Sequence, residues 1–302
     1  MHIRTLVLAA TAALAACSAA QPPLVPASAT APAAKAAAHR LFVSNELNNT
    51  VAVLDASTGA PVAVISGGGL SCPVGLAVGP AGKTFPFPIL YVANACSNTI
   101  SSFNAQTYKQ VMKAVPLTGL SHARGMVYAS PFLYIANEGN STIEVTDPTC
   151  VRGGCFSSPS VIHSGGLDAP QGLEIAGGFI YAANAADDTV SIFSEQTWAP
   201  VDVVAKGSLA TPEGVTIAGG TIFVANYGST DIATYDAKTR KPGRRITGNG
   251  LAGPLGMDQG GGILYVVDHD TNRISRFSVE TKKAMGTLAS PSLDGPGDIL
   301  YY

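Results

Sequence analysis

Six times along the chain an apolar run closes on an amide or a carboxylate. The runs are Leu41-Phe42-Val43-Ser44-Asn45, Leu90-Tyr91-Val92-Ala93-Asn94, Leu133-Tyr134-Ile135-Ala136-Asn137, Ile180-Tyr181-Ala182-Ala183-Asn184, Ile222-Phe223-Val224-Ala225-Asn226 and Leu264-Tyr265-Val266-Val267-Asp268. Their last residues are separated by 49, 43, 47, 42 and 42 positions. A short polar turn follows each run, and then a segment of alternating character, such as Thr50-Val51-Ala52-Val53-Leu54-Asp55 or Thr189-Val190-Ser191-Ile192-Phe193-Ser194. Alternation with period two predicts a strand with one apolar face. Ahead of the runs stand Pro73-Val74-Gly75-Leu76, Ala123-Arg124-Gly125-Met126, Pro170-Gln171-Gly172-Leu173, Pro212-Glu213-Gly214-Val215 and Pro254-Leu255-Gly256-Met257. Glycine inside such a strand predicts close approach of another backbone. The fourth segment of each unit is the most polar and reads as an exposed edge.

A period in the forties built from short strands predicts an all-β fold, a six-bladed β-propeller of four-stranded antiparallel blades. The first unit lacks its initial strand. The chain ends on Gly295-Pro296-Gly297-Asp298-Ile299-Leu300-Tyr301, which reads as an initial strand with nothing after it. The C-terminal strand is therefore expected to complete the N-terminal blade and remove two loose edges.

The start of the chain has a different character. Met1-His2-Ile3-Arg4 is basic, and positions 6–16 are an apolar Ala/Leu run too short to span a bilayer. It ends in Leu14-Ala15-Ala16-Cys17, which resembles the lipobox of a bacterial lipoprotein. That resemblance implies a lipoprotein signal peptide over 1–16 and a lipidated Cys17. With Ser18 following, it also implies a place in the cell envelope on the periplasm-facing side of the outer membrane. Positions 17–39 are rich in Ala, Pro and Ser and read as a flexible tether, leaving 40–302 for the propeller.

Charged residues are only 13% of the chain and the formal net charge is −2, so there is no electrostatic footprint for nucleic acid. The one basic cluster, Lys238, Arg240, Lys241, Arg244 and Arg245, falls on an outer hairpin and reads as a solvated turn. Four cysteines remain beyond Cys17, an even number in an exported chain, which favours disulfides. Cys72 precedes a first strand and Cys96 follows a second strand of the same unit, so the two loops share a face. Cys150 and Cys155 flank a four-residue turn and form the other local pair. Neither pair has the spacing of a zinc site.

The repeated Tyr-Val-Ala-Asn, Thr-Val/Ile-Ser and Pro-x-Gly segments resemble those of the YVTN and NHL repeat propellers over nearly all of 40–302. The resemblance implies a binding protein of the cell envelope, near in structure to gluconolactonase-like and virginiamycin-lyase-like enzymes. Repeat motifs carry fold rather than activity.

In such a ring, the loops entering first strands and those leaving second strands share one face of the central channel. The Asn/Asp ring recurs in every unit, which suits a scaffold role. A ligand contact should break the repeat. His122, Arg124, Glu138, Gln171, Glu213, Tyr227, His269 and Asp270 do so and are the candidate ligand-binding residues. Arg124 and Glu213 are either ligand contacts or a pair across the channel mouth. No catalytic residues, metal or cofactor are expected. The expected function is non-catalytic binding of a protein, glycan or small ligand on the channel face, by a monomer tethered to a membrane. The alternative is a Ca²⁺- or Mg²⁺-dependent hydrolase or lyase using the same face, with Glu213, Asp268 and ring asparagines as ligands.

Overall fold

The computed structural model describes residues 39–149 and 156–302. The proposed signal peptide, Cys17 and the pair Cys150 and Cys155 lie outside the described residues.

The second strands Arg40–Asn45, Ile89–Asn94, Phe132–Asn137, Phe179–Asn184, Thr221–Asn226 and Ile263–Asp268 each belong to a separate antiparallel sheet, giving six blades. We number the blades by the order of these strands. Almost every residue of a second strand is buried, because each strand is covered by a neighbouring blade on both faces. In blade 1, Leu41 and Val43 pack against Tyr265 and Val267 of blade 6, while Phe42 packs towards Leu90 and Phe103 of blade 2. Burial on both faces explains why these segments read as continuous apolar runs rather than alternating ones. Six such clusters, one between each pair of blades, form the core. At about 25 cal/mol per Å² of apolar surface removed from water, these contacts are the main force holding blade to blade.

The ring closes as the chain ends predict. Pro296–Tyr301 pairs with Arg40–Asn45, with Leu41 opposite Tyr301 and Val43 opposite Ile299. It thereby becomes the inner strand of blade 1, and all six inner strands contact their neighbours around the axis. Five blades have four strands. In blade 5 the fourth is reduced to two isolated bridges, Ile232 to Ile246 and Tyr235 to Pro242. Pro242 has no N–H for a ladder, and Gly243 beside it weakens extended structure. The basic residues of this segment are not simply solvated. Arg245 pairs with Asp231, its Nη1 2.5 Å from Oδ2, and Arg240 lies 5.7 Å from the Phe179 and Tyr181 ring centres.

The ring of terminal Asn and Asp side chains is structural. All six are fully buried. Asn184 accepts a hydrogen bond from Asp168 N–H at 3.4 Å and donates to Gly166 O, Thr189 Oγ1 and Ser191 Oγ at 2.9–3.0 Å. Asn94 does the same with Ser71, Thr99 and Ser101. The serine of the third strand therefore faces a polar partner inside the fold. A second set of short side chains joins blade to blade. Asn49, Asn98, Asp188 and Asn272 accept the N–H groups of Cys72, His122, Thr211 and Gly295 at 2.6–2.8 Å. Cys72 and Cys96 are disulfide-bonded with Cα atoms 5.4 Å apart, as expected.

Candidate functional site

The inner strands Pro296–Tyr301, Pro73–Gly79, Ala123–Ala129, Pro170–Ala176, Pro212–Ala218 and Pro254–Gly260 surround a channel of about 640 Å³. Each begins with a register shift that carries its third residue close to the next blade. In five blades that residue is glycine, and a Cβ there would collide with the neighbour. A Cβ on Gly75 would stand 2.0 Å from Arg124 O, and one on Gly214 would stand 2.2 Å from Leu255 O. Blade 1 has Asp298 in this place. Its carboxylate accepts Leu76 N–H of blade 2 at 2.9 Å, and Ser44 Oγ, 2.6 Å from Val74 O, receives Asp298 N–H at 2.9 Å.

The second position of the inner strands forms the neck of the channel: Gly297, Val74, Arg124, Gln171, Glu213 and Leu255 in ring order. Three consecutive blades, 3 to 5, are polar here and the other three apolar. Arg124 Nε donates to Glu138 Oε2 at 2.7 Å, and its Nη1 lies 4.0 Å from Glu46 Oε1. It forms no ion pair with Glu213, so the cross-channel pair considered from the sequence is not made. Glu138 is nearer because it leaves the second strand of the same blade. Gln171 is 5% exposed. Burial raises the Glu213 carboxyl to about 7, although Arg124 pulls it down.

The remaining candidates sit on the rim. Glu138, Tyr227, His269 and Asp270 belong to single 3-10 turns, Glu138–Asn140, Tyr227–Ser229 and His269–Thr271. Each turn ends in a left-handed residue, Ser141, Thr230 or Asn272. Tyr227 Oη lies 3.5 Å from Asp270 Oδ1, and His269 Nδ1 lies 3.3 Å from Pro296 O. His122 Nδ1 is 3.5 Å from Glu138 Oε2 while the His122 side chain is 56% exposed. The eight residues chosen from the sequence thus divide between a neck, a polar rim above it and an exposed histidine.

Below the neck lies a group that the entrance-by-entrance reading did not reach. Glu174, Asp258 and Asp298 line the channel from blades 4, 6 and 1. They are partly exposed to the channel, and protein surrounds them on the other sides. Burial, reinforced by Asp258 and Asp298, raises Glu174 to about 8. Burial likewise raises Asp298 to about 7 and Asp258 to about 6. Asp258 accepts the N–H groups of Tyr301 and Gln259 at 2.7 Å. Tyr128, Tyr301 and Tyr302 are also part of the lining.

Asp268, a ligand in the metal-enzyme alternative, accepts Ala252 N–H at 3.3 Å and Ser275 Oγ at 2.5 Å. Among the described residues, no three His, Cys, Asp or Glu side chains converge as a bound metal ion would require. The channel offers a largely apolar wall, one guanidinium, one amide and four carboxyl groups, a composition suited to holding a small molecule by a few oriented polar contacts.

Comparison with described protein families finds no match. Comparison with curated proteins finds none either. Many solved structures share the fold. A chain from the crystal structure of a nidogen/laminin complex superposes with a TM-score of 0.71 at 16% identity, covering 87% of this chain and 98% of that one. A protein of unknown function from Bacteroides caccae gives 0.65 at 13% identity, with the same coverages. At these identities the likeness shows the propeller fold alone.

Proposed function

We propose that this chain is an exported, lipid-anchored propeller of the YVTN/NHL repeat type that binds a small ligand in its central channel. The observation that carries the reading is the channel itself. Its volume of about 640 Å³ falls within the range of small-molecule sites, and its wall is mostly apolar with a few polar groups. A protein or glycan partner would meet only the rim, where Tyr227 and Leu47 are the exposed large side chains. The metal-dependent alternative gains no support from Asp268, whose two carboxylate oxygens are engaged in the frame.

Small molecules released on denaturing the full chain, purified in detergent from its cell envelope, test the reading by mass spectrometry. Wild type should release one compound in near-stoichiometric amount, and Val127→Trp, which puts an indole on the channel lining, should not. Identical release profiles from both would remove the channel as the site. The anchor rests on Leu14-Ala15-Ala16-Cys17. Metabolic labelling with an alkyne fatty acid should mark wild type and leave Cys17→Ser unlabelled. Equal labelling of both would overturn it.

A further inference from the structure

The polar half of the neck consists of Arg124, Gln171 and Glu213 on three consecutive blades. They are not equally satisfied. Arg124 is held by Glu138 at 2.7 Å and faces Glu46. Gln171 is 5% exposed, and among the described residues its side-chain amide makes no hydrogen bond within the protein. Gln171 lines the channel, so an amide with unused bonding capacity is presented to whatever enters it. Glu213 beside it likewise has neither a hydrogen bond nor an ion pair within the described protein. Two adjacent polar groups of the same strand position therefore line the channel with their bonding capacity unused.

Acidic groups outnumber basic ones around them. Among the described residues, Arg124 is the only basic side chain in the channel lining, against Glu174, Glu213, Asp258 and Asp298. An anion entering the neck would have to displace Glu138 from Arg124 and would face four carboxyl groups. A cation meets only Arg124, whose charge Glu138 and Glu46 offset, and a channel with low-dielectric walls concentrates ligands of the opposite sign. An ammonium group also has three N–H donors, enough to satisfy a carboxylate and an amide oxygen together. The apolar wall below the neck, with Val78, Val127 and Leu300, suits a hydrocarbon body.

We propose that the ligand is a protonated amine carried on an apolar body, its ammonium held between the Glu213 carboxylate and the Gln171 amide oxygen. This rests on the channel being the ligand site. The neutral fraction of Glu213 gives up its proton to the solvent when the ammonium arrives, leaving a carboxylate paired with an intact ammonium. Burial holds the free Glu213 carboxyl at about 7, so proton release is largest on the acid side of neutrality.

Isothermal titration calorimetry on the full chain in detergent, at pH 6.5 in two buffers of different ionisation enthalpy, provides the test. The probes are 2-phenylethylammonium, its neutral analogue 2-phenylethanol and the anion 3-phenylpropanoate. The ammonium should bind about tenfold or more tightly than the alcohol, as a charge-assisted hydrogen bond implies, with a buffer-dependent heat that reports proton release. Glu213→Gln should abolish the release and most of the preference. Gln171→Leu should weaken the ammonium while leaving the release in place. If the alcohol or the anion binds as well as the ammonium, the channel stands and the ligand class falls. If none of the three binds, the ligand class also falls, and the channel is judged separately by the release profile of Val127→Trp. The preference among probes is read in wild type and needs no variant to fold.

Discussion

At the scale of single residues, the chain departs from its repeat where the channel acquires chemistry. Arg124, Gln171 and Glu213 were legible because they stand at strand entrances, in slots that hold Val74, Leu255 and Gly297 in other blades. Glu174, Asp258 and Asp298 break the repeat as clearly, the first two standing two residues beyond the glycine slot and the third in it. They were not read because which residues of a strand line the channel depends on the register shift at its start. Their raised carboxyls predict a pH dependence. A carboxyl with a higher value folded than unfolded holds an extra proton in the native state, so stability falls as pH rises through the interval between the two. For Glu174 that interval runs from its ordinary value of 4.5 to about 8. Glu174→Gln removes the cost of ionisation. It should be more stable than wild type by about 1–3 kcal/mol at pH 8.5, with the gap closing near pH 5. Guanidinium midpoints at the two pH values measure this, and a gap independent of pH would show that Glu174 does not titrate in that range.

Elements were read with uneven success, for a physical reason. Second strands are buried on both faces and cannot be mistaken, since a continuous apolar run of five residues ending in a polar one leaves few alternatives. The rim turns carrying Glu138, Tyr227 and His269 form single 3-10 turns that no periodicity announces. Blade 5 shows the opposite case, where Pro242 and Gly243 prevent a full outer strand. The six buried Asn/Asp side chains that end the second strands were expected to be scaffold, and their hydrogen bonds make them so. Asn184→Leu keeps the volume but leaves Asp168 N–H, Gly166 O, Thr189 and Ser191 short of a partner. Loss of about 2–4 kcal/mol follows from stranding several buried polar groups. Urea unfolding should show it as a lower midpoint with an unchanged slope. A loss below about 0.5 kcal/mol would mean that water replaces the amide at this strand end.

The closure of the whole ring depends on one element, the returning C-terminal strand. Pro296–Tyr301 provides the inner strand of blade 1, and Asp298 and Ser44 tie it to blade 2. Deleting residues 296–302 exposes the Leu41 and Tyr265 cluster on one side and strands the edge of Arg40–Asn45 on the other. Calorimetry of the full chain should give one cooperative transition, and the truncated chain should lose it or melt well below it. A truncated chain with an unshifted transition would mean that the four inter-blade contacts left complete suffice.

The same closure places the ends of the fold together. Arg40 and Tyr302 exchange backbone hydrogen bonds at 2.7 and 2.8 Å. A circle held by its inter-blade cores has no preferred origin, and the break in this one falls between two strands of a single blade. A circularly permuted gene joining Tyr302 to Arg40 through a few added residues, and opening instead in a loop between two other blades, would encode the same ring. The break between Arg40 and Tyr302 is then one choice of opening among several rather than a discontinuity that the architecture requires.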